Sequence, residues 1–260
     1  MGINSGVVHL SYAAWTLWSL GYADQAIKRA DEAIALAESL SDPHSVVFAE
    51  VYVATLHLLR REARAAQGSL QYLVAISMEH GLADMLAGAT AMNGMAIVEM
   101  GGGEEGIKLI QVGAAELRAT GLEMVRPYHL CWMAEACMKV GRFDEGLSAL
   151  TEALMFADQK QDRYCEAETY RLKGMLLLEQ DDSNAGEAQR CFQRAIEIAR
   201  KQSAKSYELR ATTSVARLYA SQGHRHEART MLADIYGWFT EGFDTADLKD
   251  ARALLDELSG

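Results

Sequence analysis

Proline is nearly missing from this chain: 260 residues hold two, Pro43 and Pro127. With so few breakers, long helices can run uninterrupted, and both prolines fall where one helix would hand over to the next. Cysteine is scarce as well. Cys131, Cys137, Cys165 and Cys191 form no CxxC pair and show no other metal-ligand spacing, so they read as small buried hydrophobes in a reducing compartment. Positive charge is in deficit, with 25 Lys and Arg against 36 Asp and Glu and a net charge of −11. Phosphate contacts need a surplus of cations, so the charge argues against a general nucleic-acid binder. The one local exception is 200–229, where seven Lys or Arg meet two acids.

Long apolar runs are missing too. No stretch approaches the 18 or so residues of a membrane span. The opening MGINSGVVHLSYAAWTLWSLGYA lacks a basic leader, and Tyr12, Trp15 and Trp18 interrupt its apolar run, so it is no secretory signal. Gly6 stands where a myristoylation motif needs Ser or Thr. The expected setting is soluble and cytoplasmic.

Catalytic patterns are equally sparse. GGGEEG at 101–106 lacks the Lys-Ser/Thr of a phosphate loop and any preceding strand, and reads as a helix-hairpin turn. There is no HExxH; His224 and His226, two apart in a polar turn, do not share a helix face. Acidic pairs such as Glu104-Glu105 and Asp181-Asp182 fall in turns or helix starts, where the helix dipole favours them. No nucleophile, metal or cofactor constellation emerges, so neither catalysis nor a cofactor is expected.

What the chain does have is a period. Gly21, Arg61, Gly101 and Gly141 are 40 residues apart, and Gly223 continues the frame after an insertion. Seven residues before each point sits a small residue (Ala14, Ala54, Gly94, Ala134), and five after it another (Ala26, Ala66, Gly106, Gly146). The fifth unit keeps Gly174 and Ala188, set two residues further apart by the polar loop near 180–186, and the sixth keeps Ala216 and Ala228. Self-similarity at such a period marks a solenoid. Apolar positions at three-four spacing, as in DQAIKRADEAIALAESL, make each unit a pair of amphipathic helices. A single repeat domain over 1–260 is expected, with units at about 5–41, 44–81, 83–121, 124–160, 162–202 and 204–238. A helix at 245–258 closes the last hydrophobic face. Asp24 is a candidate N-cap, and Gly81 a left-handed C-cap. The paired small residues should face each other where two helices cross closely. A third small position (Ala33, Gly113, Ala153, Ala195) should meet the next unit.

The pattern resembles the tetratricopeptide repeat, most clearly in VGRFDEGLSALTEAL and QGHRHEARTMLADIY, although that family's unit is 34 residues rather than 40. Over 160–258, with AETYRLKGMLLL and the ending IYGWFTEGFDTADLKDARALLDEL, it looks like the C-terminal region of large bacterial signalling ATPases. These are the class III adenylate/guanylate cyclases and the LuxR-type regulators with AAA/STAND ATPase domains. The resemblance implies an all-α superhelix of about six hairpins plus a capping helix, whose first helices line a concave groove. Carried onto this sequence, the groove positions hold Ser11, Trp15 and Trp18; Phe48 and Thr55; Met95 and Glu99; Tyr128, Glu135 and Lys139; Glu168, Arg171 and Met175; Arg210, Thr213 and Arg217. The groove would be aromatic in its N-terminal half and charged in its C-terminal half. Trp15, Trp18, Phe48, Tyr128, Glu135, Lys139, Arg171, Arg210 and Arg217 are the candidate partner-binding residues, since aromatics and Arg anchor interfaces. The competing reading has Trp15 and Trp18 covering core, and Glu168, Arg171 and Arg210 bridging neighbouring helices.

The expected function is a non-catalytic scaffold that holds a peptide or protein segment in a regulatory protein. The alternative is a small-ligand sensor controlling an attached ATPase, cyclase or DNA-binding domain. An open groove favours the first; an enclosed pocket with convergent polar groups favours the second. The aromatic first helix is the place for a homodimer contact.

Overall fold

The computed structural model describes residues 2–260, and within them every regular element is helical. The helices are α1 (Ser5–Leu20), α2 (Ala23–Ser39), α3 (Pro43–Leu59), α4 (Ala63–Glu79), α5 (Ala83–Glu99), α6 (Gly103–Ala119), α7 (Arg126–Lys139), α8 (Phe143–Lys160), α9 (Glu166–Gln180), α10 (Ala185–Lys201), α11 (Lys205–Ser221), α12 (Arg225–Tyr236) and α13 (Ala246–Glu257). Successive pairs are antiparallel hairpins, each packed on the next, and α13 packs on α11 and α12. The inserted loop holds one 3₁₀ turn, Asp182–Asn184.

The backbone refines the period. A left-handed residue recurs at 21, 41, 61, 81, 101, 121, 141 and 161, then at 203 and 223 beyond the insertion. The repeat is thus a single helix plus its C-terminal turn, every 20 residues, and the glycine spacing samples alternate turns. At all of these turns but those at 41 and 161, the N–H after the left-handed residue reaches back to one of the last carbonyls. Examples are Tyr22 to Leu17 at 2.8 Å, Glu62 to His57 at 2.8 Å and His224 to Tyr219 at 2.8 Å. Arg61 adopts φ 62° without being glycine, a conformation that costs an L-residue roughly 1–2 kcal/mol.

The small-residue pairs meet inside the hairpins as their spacing predicts. Ala14, Ala26, Ala54, Ala66, Ala134, Ala188, Ala216 and Ala228 are all buried. The tightest crossing is α5 on α6, where a Cβ on Gly94 would lie 2.6 Å from the Gly106 carbonyl. Gly113 departs from expectation. Its Cβ would strike the Ala87 carbonyl and the Ala91 N–H, both 2.5 Å away in α5 of its own hairpin. It lies seven residues, two helical turns, after Gly106, and so repeats the contact of the same face rather than meeting the next unit.

The superhelix comes round until its beginning packs on its end. Ala14, Trp18, Ala26, Ala30, Leu56 and Leu59 from the first two units share one hydrophobic cluster with Ala167, Ile198, Ala199, Ala204 and Tyr207. The Ser206 hydroxyl donates to the Trp18 carbonyl at 2.6 Å. Asp24 does not cap α2. The Glu241 carboxylate, arriving from the far end of the chain, accepts from the Asp24 and Gln25 N–H groups at 3.0 and 3.1 Å, while Asp24 accepts from the Gly242 N–H at 3.2 Å. The free N–H groups of a helix start accept any well-placed carboxylate, and here a residue 217 positions away supplies it. Arg60, buried, donates to the Ala23 carbonyl and to Glu62. Gly21 sits within this seam: a Cβ there would lie 2.6 Å from the Trp238 ring.

Candidate functional site

Closure turns the concave face inward, and the first helices of the hairpins face one another across a narrow space. Aromatic and charged side chains separate there, though not by half of the array as the sequence suggested. Trp15 of α1 lies 4.4 Å (ring centroids) from Tyr164, 5.4 Å from Tyr128 and 5.9 Å from Tyr52. Phe48 packs on Tyr52 at 4.9 Å. Aromatics from both halves of the chain therefore form one cluster. Trp18, only 2% exposed, sits edge-on to Tyr207 at 5.2 Å, with the Arg210 guanidinium 5.1 Å above its ring. It covers core, as the plainer reading had it. The Trp15 Nε1, Tyr128 Oη and Tyr164 Oη atoms are buried without a hydrogen-bond partner among the described residues, an arrangement that costs roughly 1–3 kcal/mol per group.

Beside this cluster opens a cavity of about 260 Å³. Its wall carries five carboxylates (Glu99, Glu135, Glu168, Asp247, Asp250) and five cations (Arg61, Lys139, Arg171, Arg210, Arg217). Tyr128, Trp132 and Tyr207 add aromatic surface. Most of the charges are matched within the protein. Lys139 donates to Glu99 at 2.9 Å, Arg171 to Glu168 at 2.7 Å, Arg210 to Asp247 at 2.7 Å and to Glu168 at 3.4 Å, and Arg61 to Asp250 at 2.7 Å. Arg210 also donates to the Leu59 carbonyl across the seam. Burial would push the Glu168 carboxyl up, but Arg171 and Arg210 outweigh it and hold the group below its ordinary value. Glu135 and Arg217 have no ion-pair partner among the described residues. Burial, reinforced by Glu99, pushes the Glu135 carboxyl up. Arg217 is exposed at the mouth.

Tyr128, Glu135, Lys139, Arg171, Arg210 and Arg217 thus converge on the cavity, while Trp15, Trp18 and Phe48 belong to the aromatic packing outside it. Trp132 escaped the repeat frame, yet it lies four residues after Tyr128 and three before Glu135, on the same face of α7, and that spacing would have found it. Asp247 and Asp250, three apart on the capping helix, and Arg61, at a turn position, carried no periodic signal for this role.

A nucleophile would need an activated form, but burial pushes the Cys131 thiol up to about 12 and Cys165 well above its ordinary value. No group of three His, Cys, Asp or Glu among the described residues could hold a metal ion. No helix among them is long and apolar enough to cross a membrane.

No family model matches the chain, and no curated protein matches it. Among solved structures it is similar to NprR in complex with its cognate peptide NprX, with 14% identity, a TM-score of 0.70, and coverage of 98% of this chain and 70% of that one. The TPR2AB domain of yeast Sti1, in its pHSP90 complex, overlays at 15% identity with a TM-score of 0.41, covering 98% of each chain. The NprR likeness is one of fold, and the chain has the all-α, tetratricopeptide-like superhelical architecture.

Proposed function

We propose that residues 1–260 act as one non-catalytic binding domain that receives a short peptide or protein segment in the central cavity and passes occupancy on to a regulatory partner. The observation that carries this is the convergence of charged and aromatic side chains from five hairpins and the capping helix on one half-closed space. Natural binding sites share this form: concave, largely preformed and holding a few directed polar groups. NprR takes a cognate peptide, and the shared fold makes the same mode of use the natural reading here. A second reading, a small-ligand sensor, draws on the modest volume of the cavity, which would enclose part of a peptide but the whole of a small effector. The terminal-segment resemblance favours a cytoplasmic bacterial signalling protein as the setting. Trp15 and Trp18 are engaged within the chain, and a second copy docking on α1 would meet Tyr12, which is exposed although it packs on Tyr52.

A random-peptide display library panned on the purified chain tests the proposal. Clones should be recovered whose binding is lost in Ser214→Trp, which fills the cavity from α11 while circular dichroism stays native. Recovery of no clone, or binding indifferent to the filled cavity, would sink it.

A further inference from the structure

This inference rests on the peptide-binding reading and names the ligand group that anchors it. Four of the five carboxylates in the cavity wall are already met by a cation of the protein: Glu99 by Lys139, Glu168 by Arg171, Asp247 by Arg210 and Asp250 by Arg61. Glu135 is the exception. It stands on α7 one and two turns after Trp132 and Tyr128, and all three line the cavity. Spacings of four and three residues put them in one row on the helix. A carboxylate without an ion-pair partner, on a wall that also carries a tyrosine and a tryptophan, attracts an organic cation. The ring quadrupoles favour positive charge over their faces, and the carboxylate supplies the counter-charge. The walls exclude a metal ion as the occupant, since no three ligating groups come close enough together among the described residues.

We infer that the ligand carries a primary ammonium or guanidinium group, seated against Glu135 on the cavity wall that also carries Tyr128 and Trp132, and that this group selects the ligand. Its arrival gives the last unpaired carboxylate of the wall a partner. It also offsets the burial that holds the Glu135 carboxyl up, which Glu99 reinforces and Arg171 only partly counters. The cation can come from a Lys or Arg side chain or from a peptide's N-terminal amine.

Three degenerate hexapeptide mixtures distinguish these sources. One is acetylated and amidated with a fixed central Lys, one is the same with norleucine in its place, and one has norleucine and a free N-terminus. Retention on the immobilised chain is read by mass spectrometry. The wild type should hold the Lys mixture about tenfold better than the capped norleucine mixture, and Glu135→Gln should reduce that preference to about twofold or less. Preference for the third mixture over the second, lost in the same variant, would assign the terminal amine instead. A Lys preference that survives in Glu135→Gln would come from the −11 net charge at large and overturn the inference. Equal retention of all three by the wild type, still abolished by Ser214→Trp, would also overturn it while leaving peptide binding intact. If no mixture is retained above the Ser214→Trp background, peptide binding fails as well.

Discussion

Two kinds of junction hold this chain together, and they are built differently. Between neighbours, helices cross on small residues: Gly94 on Gly106 in α5–α6, and Gly174 near the Ala188 carbonyl in α9–α10. Between the ends, the seam is made of large aromatics, a borrowed helix cap and ion pairs, among them Trp18 on Tyr207, Glu241 on α2 and Arg61 to Asp250. Close backbone approach is a local geometric demand and recurs with the repeat. Closure is a one-off demand, met with whatever side chains lie at the meeting point. An array with only the first kind of junction frays from its ends; the second kind ties those ends together.

Substitutions can separate the two. The largest effect is expected at the seam, where Trp18→Ala removes a buried indole and should lower unfolding stability in denaturant by about 4 kcal/mol. A loss under about 1 kcal/mol would show that closure contributes little. Next comes the neighbour junction. In Gly106→Ala the new methyl would lie 2.5 Å from the Gly94 carbonyl and against the Val98 side chain, for an expected loss of about 3 kcal/mol. Gly68→Ala, mid-helix with nothing within 4 Å, should instead gain up to about 1 kcal/mol, and equal behaviour of the two would refute the crossing. Gly21 and Gly141 both have positive φ, 98° and 76°, but only Gly21 faces the seam. Both alanine variants should lose about 1 kcal/mol to backbone strain, and Gly21→Ala should lose about 1–2 kcal/mol more to the clash with Trp238. Identical losses would mean the seam gives way freely.

A further effect is set by pH at the α6–α7 junction, where His129 is 7% exposed and burial holds its imidazole down to about 4 from an ordinary 6.5. The unfolded chain takes up this proton first, so stability falls as pH drops from about 6.5 toward 4, by at most about 1.4 kcal/mol per unit. His129→Phe should flatten the profile in that window; an unchanged slope would assign the loss to other groups.

The neighbour junctions were legible in the sequence because backbone proximity leaves small residues at fixed offsets. Gly94, Gly106 and the alanines of the hairpins announce themselves. The seam left no such trace. Its contacts join residues about two hundred positions apart, and Glu241, Trp238 and Asp247 occupy no repeated position. That is why Asp24, a locally reasonable cap, yielded its place to Glu241. The site was half legible for the same reason. The α7 row could be read from spacing, whereas the acids contributed by the capping helix depend on where the superhelix returns. The segregation of aromatics from charges likewise follows from closure, which sets Trp15 beside Tyr128 and Tyr164.

Closure also constrains how such a chain can change over time. An open solenoid can be lengthened or shortened by duplicating or deleting a unit, since each copy brings its own neighbour contacts. Here an added 40-residue copy would carry Glu241 and Trp238 past the start of α2, and a lost copy would leave them short of it. The number of units is therefore fixed by arithmetic, and growth is confined to loops such as 180–186 that leave the circuit unchanged.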